Sequence, residues 1–176
     1  MEKAAHIIAM IDLCIISFQD FRERKISWWT LLVLALVFIL VSLNKNLPVV
    51  VGRDFLLNMA LLLLQLILTW IWICVKKREL TRFFDVEIGT GDILLFISSA
   101  FLFSPLNYLL FYVSGLIVSL FVYLLMKVVV KREWKEIPLA GILAIPLFIS
   151  CIWNILDVSR NFHQDIQFFS FIRFNT

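Results

Sequence analysis

Six long apolar runs, separated by short charged connections, constrain this chain more than any other feature. They fall at about 4–18, 28–43, 55–75, 91–103, 106–130 and 137–156. Each carries Leu, Ile and Phe around its whole circumference, unlike the one-sided apolar stripe of a surface helix in a water-soluble protein. The runs do not alternate in polarity and are longer than barrel strands, so a transmembrane β-barrel is excluded. A helix needs about 20 apolar residues to cross the hydrocarbon core. With 62% of 176 residues hydrophobic, the chain can supply about six such crossings. The expected fold class is therefore all-α: a polytopic membrane protein with about six transmembrane helices, residues 1–156 forming one membrane domain.

Composition closes other routes. Charged residues are 16% of the chain, against roughly 25% in a soluble protein, too few to wet a globular surface. A net charge of +3 does not suit a nucleic-acid-binding domain, and no nucleic acid is expected as a partner. Cys14, Cys74 and Cys151 lie far apart inside apolar runs and form no CxxC pair, so they read as small lipid- or core-facing residues. His6 and His163 stand near opposite ends and offer no clustered metal site. His6 is expected at the membrane interface. No metal or other cofactor is expected.

Lys and Arg set the orientation. Arg22, Arg24 and Lys25 follow the first run; Lys76, Lys77, Arg78 and Arg82 follow the third; Lys127, Lys131, Arg132 and Lys135 follow the fifth. The other side holds only Lys3, Lys45, Arg53, Arg160 and Arg173. The richer side is expected in the cytoplasm and both termini outside it. Asp12 in the middle of the first run, with no small-x-small cleavage site after it, marks an uncleaved span rather than a signal peptide. Trp28 and Trp29 are expected to anchor the second span at the interface, and Trp134 to do so near the sixth. The tail, 157–176, has Phe162, Ile166, Phe169 and Ile172 at helical spacing and could lie flat on the membrane or be disordered.

The few carboxylates are informative. Asp20 closes the first span in the string QDFRERKIS, and Asp92 opens the fourth in EIGTGDILLF. The basic-residue pattern brings both to the cytoplasmic face. Two carboxylates at close range cannot both ionise easily, so one pKa rises and the other falls. The ionised member can take a proton from water while the protonated member donates to a peptide carbonyl. That pair hydrolyses an amide without a metal or a covalent intermediate. A single Asp at a helix end is usually a cap or a solvated charge, and a lone GxGD is a weak signal; the combination is the stronger one. Of five glycines, Gly89 and Gly91 flank Thr90 directly before Asp92, and an unwound turn there would let an extended substrate approach. Asp85 and Glu87 precede this turn and are expected either to bind a basic peptide or to pair with Lys76, Lys77 or Arg82. Asp12 is expected inside the bundle, hydrogen-bonded to Ser17 or a neighbouring span, with a role in tuning the pair as its sharper reading.

These residues resemble the prepilin and preflagellin peptidases, membrane aspartic proteases of the GxGD type. The likeness lies in Asp20-Phe21-Arg22-Glu23-Arg24-Lys25-Ile26, in Gly89-Thr90-Gly91-Asp92, and in Ile137-Pro138-Leu139-Ala140-Gly141. It covers most of the chain in the same order of spans. The chain departs from the family at Ser27 and Trp28, where Pro and Asn are usual, and at Leu94, where many members have Lys. It lacks the CxxC-bearing insertion of the larger members. The resemblance implies that Asp20 and Asp92 are the catalytic pair of a leader peptidase in a prokaryotic cytoplasmic membrane. The implied substrates are type IV pilin-like precursors with a short basic leader, and no methyltransferase activity is implied. The fourth span and the loop at 76–91 are expected to move to admit substrate. Three competing readings remain: a presenilin-like intramembrane protease, a small transporter using Asp12, Asp20 and Asp92 as a relay, and a non-enzymatic assembly subunit.

Overall fold

A computed structural model describes residues 2–77, 89–129, 138–156 and 161–164. Among these residues every regular element is an α-helix: α1 (Glu2–Glu23), α2 (Trp28–Lys45), α3 (Pro48–Lys77), α4 (Thr90–Ser99), α5 (Pro105–Val129) and α6 (Leu139–Leu156). All but α4 are long and apolar enough to cross a membrane. The protein is a polytopic all-α membrane protein.

On α1, His6, Ala9, Leu13, Ile16 and Asp20 are buried at alternating spacings of three and four. That is the spacing of one helix face, and it turns Asp20 toward the bundle together with the apolar residues before it. This face packs against α6 and α2, and α4 fits against α2 and α6. Leu13, Ile16, Leu34, Phe38, Leu95, Leu143 and Leu147 form the centre of the core. Beside it, α3 packs on α5, and α5 on α6. The exposed side of α3 carries Leu56, Leu63, Leu64, Ile67 and Trp72, an apolar surface suited to lipid.

Two boundaries differ from those drawn on the sequence. The fourth run reads as continuous to residue 103, but α4 has only 10 residues. At 1.5 Å per residue it is about 15 Å long, half of a hydrocarbon core of about 30 Å. The chain leaves the helix because other helices satisfy its carbonyls. Asn58 Nδ2 of α3 donates to the carbonyls of Ala100 at 2.9 Å and Phe103 at 2.8 Å. Ser42 Oγ of α2 donates to that of Phe101 at 2.7 Å. In the other case α3 starts at Pro48, well before the apolar run at 55. Proline suits a first helical position. Arg53 and Asp54, whose charges mark a loop in the sequence, stay helical because Arg53 and His163 both donate to the Asp54 carboxylate.

His6, near the start of α1, is buried in the bundle. Phe162 packs on the core, edge-to-face with Phe103 at 5.4 Å between centroids. Residues 165–176 lie outside the described residues, as does Trp134. Asp12 is buried, but Ser17 does not serve it, because the Ser17 hydroxyl donates to Gly141 O instead. Trp28 and Trp29 stack on each other at 3.8 Å and are exposed at the start of α2. Cys14 is exposed, Cys74 half-buried and Cys151 buried, all as free thiols in helices.

Candidate functional site

The last turn of α1, the first turn of α4 and the first turn of α6 meet at one end of the bundle. The first amides of a helix have no acceptor within it, and the helix dipole makes that end attractive to anions. At the start of α6 two carboxylates from distant parts of the chain approach the free amides, and one of them accepts a hydrogen bond there. Gly141 N–H donates to Asp20 Oδ2 at 2.6 Å. Asp92 lies beside the neighbouring amide, that of Ala140. The two carboxylates lie at the same end of the bundle, near enough for the Asp20 charge to act on Asp92. Asp20 is only 7% exposed and Asp92 is half-buried.

Each carboxylate is placed by its surroundings. One turn before Asp20, Ser17 Oγ donates to Gly141 O at 3.3 Å, so α1 holds both the amide and the carbonyl of Gly141. A Cβ at 141 would lie 3.1 Å from Asp20 Oδ2 and 3.0 Å from two ring carbons of Phe21. Glycine lets α1 come this close without displacing either side chain. Helix α1 then ends at Arg24, which has φ 52, the left-handed conformation common after a helix C-terminus. Gln19 Oε1 accepts Ser27 N–H at 3.0 Å, which fixes the turn leading into α2.

The glycines before Asp92 act differently from the expectation. No unwound GTG turn is present. Gly89 is extended and precedes the helix, while Thr90, Gly91 and Asp92 form its first turn, with Asp92 N–H donating to Gly89 O at 3.2 Å. Among the described residues no glycine has positive φ. What these positions require is space. A Cβ at 91 would meet Ile26 Cδ1 at 3.0 Å, and one at 89 would meet Asp92 Oδ2 at 3.1 Å. Gly91 thus seats α4 on the α1–α2 turn, beside Asp20. Gly89 and Thr90 are exposed and open toward the surface.

Asp12 stands eight residues before Asp20 on α1, about 12 Å away along the axis, and is not part of this group. Asp85 and Glu87 lie outside the described residues, as does most of the loop at 76–91. Among the described residues no three His, Cys, Asp or Glu side chains gather where they could hold a metal ion. The sequence reading left out the two amides at 140 and 141 as site groups. The available signal was Pro138 followed closely by two small residues, one of them among only five glycines.

Chemically, the site offers two carboxylates, one of them held by a backbone donor, a partly open approach at Gly89 and Thr90, and an apolar wall from Ile26 and Phe21. Comparison with protein-family profiles, with curated proteins and with solved structures finds no match.

Proposed function

We propose that the protein is a membrane aspartic endopeptidase in which Asp20 and Asp92 hydrolyse one peptide bond. The observation that carries the reading is that Asp20, bonded to the Gly141 amide at the start of α6, lies near enough to Asp92 for its charge to act there. Two like charges so close hold a proton between them more readily than both ionise. The ionised carboxylate takes a proton from water as the water oxygen attacks the peptide carbonyl carbon. The protonated carboxyl gives its proton to the carbonyl oxygen. When the tetrahedral diol collapses, the C–N bond breaks. The first carboxyl passes its proton to the departing amine, and the second recovers one as the carbonyl re-forms. The reaction consumes one water and leaves both side chains as they began.

The resemblance to prepilin and preflagellin peptidases supplies the substrate class: pilin-like precursors with a short basic leader ahead of a hydrophobic helix. Arg22, Arg24, Lys25, Lys76, Lys77 and Lys127 stand at the same helix ends as the site, which supports a cytoplasmic position for it. The scissile bond must be extended, because a peptide group inside a helix has its carbonyl engaged. The test is reconstitution with a leader-bearing precursor. Cleavage by the native protein, unaffected by a chelator and lost in Asp20→Asn and in Asp92→Asn, is the expected result. Full activity in either variant removes that residue from the mechanism.

A further inference from the structure

At the end of the bundle away from the two aspartates lies a second polar cluster, buried among the helix ends. Asp54, in the second turn of α3, is 1% exposed. Its Oδ1 accepts Arg53 Nε and Nη2 at 3.1 and 2.9 Å, and its Oδ2 faces His163 Nδ1 at 2.9 Å. The His163 side chain is 2% exposed. Across the bundle, Asn154 of α6 is 1% exposed, and its Oδ1 accepts Lys45 Nζ at 2.6 Å.

These contacts fix the chemistry of the remaining atoms. A carboxylate only accepts, so the neutral His163 ring carries its hydrogen on Nδ1 and presents a lone pair at Nε2. An ammonium only donates, so the Asn154 oxygen is the atom on Lys45, and Nδ2 is a donor with nowhere else to turn. His163 Nε2 and Asn154 Nδ2 are both buried without a hydrogen-bond partner. Both residues line the same cavity, about 10 Å³ in volume, together with Ser42, Asn46 and Asn161. That is close to the smallest space that holds one water. The two orphaned atoms are an acceptor and a donor, one lacking a hydrogen and the other a lone pair.

We infer that this cavity is a binding site for a single water molecule, which donates to His163 Nε2 and accepts from Asn154 Nδ2. The water completes an unbroken hydrogen-bonded chain from the Asp54 carboxylate through His163 and Asn154 to the Lys45 ammonium. An anion would meet the lone pair of Nε2, and a cation would meet the Nδ2 hydrogens and Lys45. Water alone can donate on one side and accept on the other within this volume. The chain fastens residues 161–164 to α2, α3 and α6, and it stands independently of the proteolytic reading.

The direct test is an experimental structure of the full chain at a resolution that shows ordered solvent. The expected result is one peak within about 2.7–3.2 Å of both nitrogens. A cavity without such a peak, a His163–Asn154 bond that closes it, or an anomalous bromide peak after a soak would each overturn the inference. A cycle in solution tests it separately. His163→Phe and Asn154→Leu each remove one partner of the water. The thermal-midpoint loss in the double variant should be clearly smaller than the two single losses added together. Additive losses would mean that no bridge couples the pair.

Discussion

At the scale of single residues, the site depends on atoms that are missing as much as on those present. Gly141 gives α6 an amide that Asp20 reaches at 2.6 Å, with no room for a Cβ beside it. Gly141→Ala should push Asp20 and Phe21 aside. The shift is a few tenths of an ångström, and because about 1 Å can cost 10²-fold in rate, cleavage should fall by roughly threefold to tenfold. The thermal midpoint should change far less. Unchanged turnover in this variant would show that Asp20 does not need the Gly141 amide. Gly91 makes a paired prediction, since its neighbour is the end of a side chain. Gly91→Ala should lower activity by pressing on Ile26 Cδ1, and Ile26→Val, which removes that carbon, should restore much of it. A double variant no better than Gly91→Ala would rule out this contact as the cause. The two aspartates stood out in the sequence as carboxylates at span ends on one side of the membrane, one of them beside two of the five glycines. The Gly141 amide was not legible as the partner of Asp20. A backbone N–H leaves no mark on the sequence beyond the small residues that allow approach.

At the scale of elements, periodicity reports which residues are apolar, not where a backbone stops. The run at 91–103 stays apolar through Ala100, Phe101, Leu102 and Phe103, although the helix ends at Ser99. The cause lies on α3, where Asn58 takes up the carbonyls of Ala100 and Phe103. Asn58→Leu keeps the branching of the side chain but leaves two buried carbonyls without that donor, at about 1–3 kcal/mol for each. It should therefore lower the unfolding free energy in detergent by about 2 kcal/mol or more. A loss below about 0.5 kcal/mol, the size of an ordinary surface change, would contradict the role given to Asn58. The start of α3 was hidden for a related reason. Arg53 and Asp54 look like a loop until His163, more than a hundred residues later, meets the Asp54 carboxylate. The other long helices were legible because each is bounded by charged or turn residues and filled by one continuous apolar stretch.

At the scale of the whole molecule the two ends of the bundle differ in how they are joined. At the end far from the aspartates, Lys45–Asn154, Asn46–Asn161, Asn107–Phe162 and Asp54–His163 contacts tie α2, α3, α5 and α6 together. At the other end α3 presents Ile71, Trp72 and Val75 outward, while α1, α4 and α6 meet around the two carboxylates. Substrate admission should therefore move the site end. Hydrogen exchange in detergent should be slower at 52–60 than at 69–77 of the same helix, because local opening follows the density of such ties. Equal protection along α3 would contradict a bundle pinned at one end. The account as a whole rests on Asp20 and Asp92 working as one unit. The most direct measurement is the cleavage rate of a leader-bearing precursor by the native protein, by Asp20→Asn, by Asp92→Asn and by the double variant. Groups that act together lose their contribution at the first substitution, so each single variant should be as inactive as the double one. Independent losses that multiply in the double variant, or a single variant that cleaves at the native rate, would contradict it.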